Sequence, residues 1–214
     1  KGEIYFAGAL ENNEDTGTLQ YLASTAMEAG FSTRVLDMQA LDLQNGRFFD
    51  PAGELVNRCF KLYPWEWMVD ESPDGCLAEM EWLEPIWKLV MSNKAILATL
   101  YELFPDSPYV LPCYLSRPRS GLFCKKPVFS REGHNVSVVD IRNWEEHVRI
   151  AETEGDYNTG AYVYQEYVEP TVYSGRYPVI GSWIIGGEAA GIGIRENRME
   201  VTDNLSEFVP HIIG

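Results

Sequence analysis

Basic residues are scarce in this chain: 17 Lys and Arg stand against 32 Asp and Glu in 214 residues, a formal net charge of −15. A surface of that sign repels nucleic acid and anionic membranes wherever salt leaves the field unscreened, so neither is expected as a partner. Long apolar runs are missing too. No stretch approaches the roughly 18 to 20 uncharged apolar residues that span a bilayer, and Lys1-Gly2-Glu3-Ile4 has no signal-peptide pattern. Four cysteines, Cys59, Cys76, Cys113 and Cys124, include no C-x-x-C pair. That spacing is poor for zinc and too sparse for a disulfide framework, so reduced, buried thiols in a soluble cytoplasmic protein are expected. Histidine is rarer still. His134, His147 and His211 are far apart, and none pairs with a serine or cysteine in a recognisable motif, so no nucleophilic triad is expected. The chain starts without Met and enters at once into a strand-like run, which reads as a fragment of a longer protein.

What is present suffices for one substantial core or two modest lobes, since 45% of the residues are hydrophobic. Ile4 to Leu10 forms a short apolar run. After an acidic break at Glu11 to Gly17, Leu19, Leu22, Ala23, Ala26 and Met27 recur at helical spacing until Gly30. Ser32 to Leu36 then reads as a second strand, giving a β-α-β unit with a parallel pair. Its first turn, Gly-Ala-Leu-Glu, lacks the glycines of a dinucleotide fingerprint. Asn45-Gly46 and Pro51-Ala52-Gly53 flank Arg47 to Asp50, predicting a hairpin or small β-excursion. Phe60 to Met68 is dense in aromatics, and packing is its expected role; Glu66, between two Trp, suits either a salt bridge or an amine. Glu81 to Leu100 predicts two helical pieces hinged near Ser92-Asn93-Lys94, and Pro105, Pro108 and Pro112 prevent regular structure beyond. From Gly121 onward short β-runs follow: Leu122 to Lys126, Val136 to Val139, Ala161 to Tyr167, Tyr177 to Ile185 and Ala189 to Arg195. A lobe boundary falls near residues 88 to 118, and the chain is divided into 1–88 and 89–214.

Three segments carry chemistry. Lys125-Lys126-Pro127 ends a predicted strand ahead of the polar loop Ser-Arg-Glu-Gly-His-Asn. A strand-borne lysine offers charge to phosphate oxygens, and a glycine-containing loop can present backbone N–H groups at close range. The P-loop needs more glycines ahead of its lysine, so this is a different phosphate device. Val163 to Val168 places Gln165 and Glu166 inside a strand of aromatics and valine, where backbone groups can read an adenine edge. Gly191 to Asn197 ends another strand with Arg195, Glu196 and Asn197, an arginine for phosphoryl charge and oxygens for a divalent cation; a solvated strand end is the alternative.

The segments Phe60 to Met68, Trp82 to Lys88, Ser92 to Ala95, Lys126-Pro127 with Arg131 to Asn135, Gly181 to Trp183, Gly191 to Arg195 and Phe208 to His211 resemble, in order, the synthetase region of the glutathionylspermidine synthase family. The match runs from about residue 47 to the end, and the β-α-β start looks like the domain that precedes the family's ATP-grasp lobes. The resemblance implies an α/β, ATP-grasp-like fold preceded by a small β-α-β unit. It implies a ligase in which ATP phosphorylates a carboxylate and an amine attacks the acyl phosphate. Lys94 and Lys126 match lysines that hold ATP phosphates, Arg131 to Asn135, with Gly133, the mobile loop over them, and Gln165, Glu166 and Tyr167 the adenine hinge. Arg195 matches an arginine near the reacting phosphoryl group. The Lys126-Pro127 to Gly133 run is also similar to the phosphate loop of eukaryotic glutathione synthetase, which makes Glu132 a Mg²⁺ candidate. Implied substrates are a peptide carboxylate such as glutathione and an amine such as a polyamine. Glu66, Glu71, Asp203 and Glu207 are candidates to hold that amine and take its proton. The family's Arg/Asp-rich strand, Glu-x-Asn metal motif and amidase domain have no counterpart here. A nucleotide-binding or interaction module without ligase activity is therefore the alternative reading.

Overall fold

Successive residues Ile4, Tyr5, Phe6 and Ala7 are all buried, as expected of a parallel strand covered on both faces. They belong to β1 (Glu3–Gly8), the start of the first of two units, Lys1–Val90 and Met91–Gly214, into which the chain divides. The computed structural model describes residues 2–157, 160–203 and 206–212. Helix α1 (Asn13–Glu28) begins at Asn12, whose side chain accepts from the N–H of Glu14 at 2.8 Å, with Glu14 and Asp15 at the positive end of the helix dipole. It stops at Gly30, whose φ of 87° opens the left-handed cap conformation. Strand β2 (Ser32–Asp37) then pairs parallel with β1.

A three-stranded antiparallel excursion follows, β3 (Asp42–Gln44), β4 (Arg47–Phe49) and β5 (Leu55–Val56), its first turn carried by Asn45 and Gly46, both at positive φ. Strand β6 (Arg58–Leu62) returns to pair with β1, and β7 (Glu81–Leu83) pairs with β6, completing a parallel sheet of order β2-β1-β6-β7. Between them the aromatic segment splits: Phe60 to Leu62 ends β6, while Trp65 opens α2 (Trp65–Glu71), followed by α3 (Pro73–Cys76). Side-chain alternation along β1 makes two cores. Ile4 and Phe6 meet Leu19 and Ala23 of α1. Tyr5 and Ala7 meet Phe48, Val56, Cys59, Trp65, Met68 and Trp82 on the other face.

Glu81–Leu83 is thus a strand and not the first of two helical pieces. Trp82 is buried in edge-to-face contact with Phe48 and Trp65, and pairing with β6 decides a run too short for periodicity to classify. Pro85 also disfavours helix at the residue before it. A 3₁₀ turn at Ile86–Lys88 leads into α4 (Leu89–Ser92), and α5 (Ala95–Leu103) lies in the second unit.

The second unit holds an antiparallel sheet of order β11-β10-β9-β12-β8, made of β8 (Cys113–Tyr114), β9 (Gly121–Pro127), β10 (Ser137–Arg142), β11 (Glu145–Ile150) and β12 (Tyr162–Glu166). Helix α5 packs Ala98, with Leu97 and Tyr101, onto Cys113 and Val163. Phe123, Val139, Ile141 and Tyr164 form a separate core cluster. A second sheet joins β13 (Tyr177–Ile185), β14 (Glu188–Asn197) and β15 (Glu207–Val209). Among the described residues no helix is long and apolar enough to cross a membrane.

Candidate functional site

Alternation along β9 sends Lys126 and Cys124 to one face and Lys125 and Phe123 to the other. On the first face Lys126 and Cys124, with Val136 and Val138, line a cavity of about 310 Å³. Ser130, Arg131, Glu132 and Gly133 line it from the loop after β9, and Lys94 from the turn before α5. Tyr167, just past β12, and Glu200, Val201 and Thr202, between β14 and β15, complete the wall.

Both lysines are tethered to protein oxygens. Lys126 Nζ donates to Gln165 Oε1 at 2.7 Å, a diagonal contact fixed by the register Lys126↔Val163 and Cys124↔Gln165. Lys94 Nζ donates to the carbonyl and hydroxyl oxygens of Ser130 at 2.5 and 2.9 Å, and its N–H bonds the Val128 carbonyl at 2.8 Å. Both lysines therefore sit where an anion entering the cavity would find donors that exchange one neutral oxygen for a charged one.

The loop turns through left-handed backbone at Glu132, Gly133 and Asn135, with φ of 55°, 75° and 53°. A Cβ on Gly133 would collide with the carbonyl oxygen of Thr202, so glycine is required both by conformation and by close approach. The far half of the loop is anchored. Thr153 Oγ1 donates to the Gly133 carbonyl at 2.5 Å and accepts from the Val136 N–H at 2.9 Å. Buried Asn135 accepts from the Tyr157 N–H through Oδ1 at 2.9 Å. These bonds tie the C-terminal end of the segment Arg131 to Asn135 to Thr153 and Tyr157.

Tyr167 N–H bonds the Leu122 carbonyl at 3.0 Å, and its hydroxyl donates to Glu200 Oε2 at 2.5 Å. Desolvation, then the Glu200 carboxylate, pushes the phenol up to about 12. Glu166 is exposed, its N–H bonded to the Pro112 carbonyl. Arg195 does not line the cavity; on β14, paired with Val179 and Phe208, it sets its guanidinium 5.9 Å from the Phe208 ring centre. Asn197 Oδ1 accepts from the N–H groups of Arg198 and Met199 while Nδ2 reaches Asp203, so it shapes a turn. Glu71 accepts from Tyr63 OH in the first unit, and Glu207 pairs with Arg176 in the second.

On the opposite sheet face, Glu146 binds Lys125, Arg117 and Tyr164 at 2.8 to 2.9 Å. Burial alone would push the Glu146 carboxyl up, but the hydrogen bonds from Lys125 and Tyr164 hold it below the usual range. Among the described residues no group of three or more His, Cys, Asp and Glu is placed to hold a metal. Sequence reasoning missed Thr153, Glu200 and Cys124 as site residues. Cys124 had a usable signal in its i, i+2 spacing from Lys126; Glu200 reaches the cavity wall, and Thr153 the loop that lines it, only through tertiary packing.

A β-α-β unit followed by a lysine-bearing antiparallel sheet defines the class, an α/β protein. Among solved structures, D-cycloserine synthetase DcsG shares that fold with a TM-score of 0.53 at 15% identity, over 91% of this chain and 68% of that one. The chain belongs to the family described as glutathionylspermidine synthase preATP-grasp, whose sequence model matches residues 1–214. It is 36% identical over 207 residues to a Haemophilus influenzae protein named as an acid–amine ligase, covering 92% of this chain and 53% of that protein. Trypanothione synthetase of Crithidia fasciculata is 36% identical over 130 residues, 59% of this chain and 19% of the relative. The bifunctional glutathionylspermidine synthetase/amidase of Escherichia coli is 26% identical over 94% of this chain and 36% of the relative. The chain thus spans about half the length of the first of these relatives and less of the others.

Proposed function

We propose that this chain carries the nucleotide site of an ATP-dependent ligase that joins a carboxylate to an amine. In this reading residues 1–88 are the unit ahead of the ATP-grasp lobes and 89–214 the nucleotide-binding region. The observation that carries it is the convergence of Lys94, Lys126, Arg131 and Glu132 with the hinge residue Tyr167 on one cavity. The names of the relatives, an acid–amine ligase and a glutathionylspermidine synthetase, support amide formation from a peptide carboxylate and a polyamine. Four free cysteines suit a cytoplasmic setting, where thiols stay reduced.

A carboxylate is a poor acyl donor because its leaving group would be oxide; phosphorylation by ATP replaces that with phosphate, which an amine displaces. Negative charge gathers on the phosphoryl oxygens during transfer, and preplaced cations lower that barrier. Lys126 and Lys94 would exchange Gln165 and Ser130 for those oxygens. Arg131 would bring a third charge from the loop. Arg195 would have to swing off the Phe208 ring to join them. Glu132 would offer its carboxylate to a magnesium ion, which is seldom caged by protein alone and would supply positive charge against the phosphates. The loop around Gly133, held by Thr153, would exclude water from the acyl phosphate, whose hydrolysis competes with the amine. A binding module without turnover is the second reading, favoured by the position of Arg195 outside the cavity.

Thermal melting with MgADP and MgATP tests the site, because a ligand that binds only folded protein raises its stability by mass action. An upward shift of a few degrees, absent in Lys126→Ala, is expected. Lack of any shift in the unmutated chain would sink the nucleotide assignment. Release of ADP that requires both an acid and an amine separates ligase from binding module.

A further inference from the structure

The loop after β9 is held in a conformation that its own residues disfavour. Glu132 and Asn135 are non-glycine residues in left-handed backbone, and the His134 N–H closes the turn on the Arg131 carbonyl at 2.8 Å. Strain of that kind persists only where the surroundings over-determine it, and it collects at sites that work by being set in advance. What holds this turn comes from the far end of the β10–β11 hairpin, where residues 152–157 return beside residues 133–136. Thr153 is the centre of that contact. Its N–H donates to the Val136 carbonyl at 2.9 Å, and its carbonyl accepts from the Asn135 N–H at 3.2 Å. Its hydroxyl adds a bridge across the turn, donating to the Gly133 carbonyl and accepting from the Val136 N–H. Asn135 is held from the same segment, by the Tyr157 N–H on Oδ1 and by the Glu152 carboxylate, which accepts from Nδ2 at 3.3 Å. A Cβ on Gly155 would stand 2.4 Å from His134 Cβ and 2.7 Å from Asn135 Oδ1, so the two segments meet with no room for a methyl between them.

Thr153 does not line the cavity, whereas Arg131, Glu132 and Gly133 do. Its reach into the cavity runs through one peptide group. A planar peptide cannot turn one end without the other. Fixing the Gly133 carbonyl on the Thr153 hydroxyl therefore sends the His134 N–H the opposite way, onto the Arg131 carbonyl, and sets the heading of the backbone between them. Resting on the nucleotide reading above, we infer that Thr153 is a positioning residue for phosphate: it touches no nucleotide but pre-orders the Arg131 to Gly133 turn. Binding then does not have to order that turn, a cost that would otherwise be subtracted from affinity. The consequence is selective. Affinity for a phosphate-bearing ligand depends on the Thr153 hydroxyl, and affinity for base and sugar does not.

The test is an NMR amide-shift titration of the intact ¹⁵N-labelled chain with MgADP and with adenosine, a readout that reaches weak binding, repeated on Thr153→Val and Thr153→Ser. Valine keeps the shape of threonine and removes only the hydroxyl. Thr153→Val is expected to weaken MgADP about tenfold, the scale of a hydrogen bond lost with its partner left unpaired, and to leave adenosine unchanged. Thr153→Ser, which keeps the hydroxyl, should bind MgADP as the unmutated chain does. MgADP affinity unchanged in Thr153→Val overturns the assignment of Thr153 and leaves the nucleotide site standing. Equal weakening of MgADP and adenosine overturns it as well, because that pattern is loss of fold and not of phosphate positioning. Failure of the unmutated chain to bind either ligand removes the nucleotide reading and this one with it. Melting without nucleotide shows whether Thr153→Val folds. If it does not, Gly155→Ala disturbs the same contact through His134 and Asn135 with the hydroxyl intact, and it must show the same selective loss; unchanged MgADP affinity there overturns the assignment.

Discussion

Asp50 is buried in the first unit and accepts hydrogen bonds from the N–H groups of Ala52 and Glu54, from Tyr5 OH and from Arg34. The Glu54 N–H is the largest influence holding its carboxyl below the usual range, against the upward push of burial and with help from Ala52, Tyr5 and Arg34. A group whose folded pKa lies below its unfolded value of about 3.9 stabilises the fold above that pH. The contribution disappears as pH falls through the folded value. Asp50→Asn is therefore expected to lower the melting temperature near neutrality and to flatten its fall below about pH 4, as followed by circular dichroism. Single residues also mark how far the site was legible. Lys126 announces itself because a lysine, a proline and a glycine-bearing polar loop are contiguous. Thr153 and Glu200 do not, because their partners are 20 and 33 positions away.

Between residue and domain, the loop after β9 shows what an element demands of its sequence. Gly133→Ala puts a side chain at φ 75° and into the Thr202 carbonyl, so the loop or the β14–β15 connection must move. A loss of about 1 to 3 kcal/mol is expected in urea unfolding, together with a weaker response to MgADP. Local rules served well where the element was stabilised locally. α1 could be placed from its spacing and terminal glycine, although its first residues, Asn13 to Gly17, had read as part of an acidic break, and β13 from an uncharged run ending in two glycines. They served badly where a neighbour decides. β7 takes its conformation from β6, and β11, written Glu-Glu-His-Val-Arg-Ile, hides as an edge strand with little apolar content. β15 was passed over for the same reason, being three residues that pair only with β14.

Across the whole molecule, a charge of −15 keeps copies apart in dilute buffer. One stretch escapes that protection. From Tyr177 to Gly187 there is no charged residue, and Ile180, Trp183, Ile184 and Ile185 are each about 65% exposed on β13, an edge strand. Unpaired strand edges of this composition invite pairing with another chain. Salt should bring this out, because it screens the repulsion and leaves the apolar edge untouched. Light scattering of the concentrated chain is expected to rise with added NaCl, and Ile184→Lys to suppress the rise; a variant that scatters as much as the parent would place the cause elsewhere. The practical solubility of this polypeptide is then a property of eleven residues, and its behaviour during purification and storage will follow them more closely than its isoelectric point.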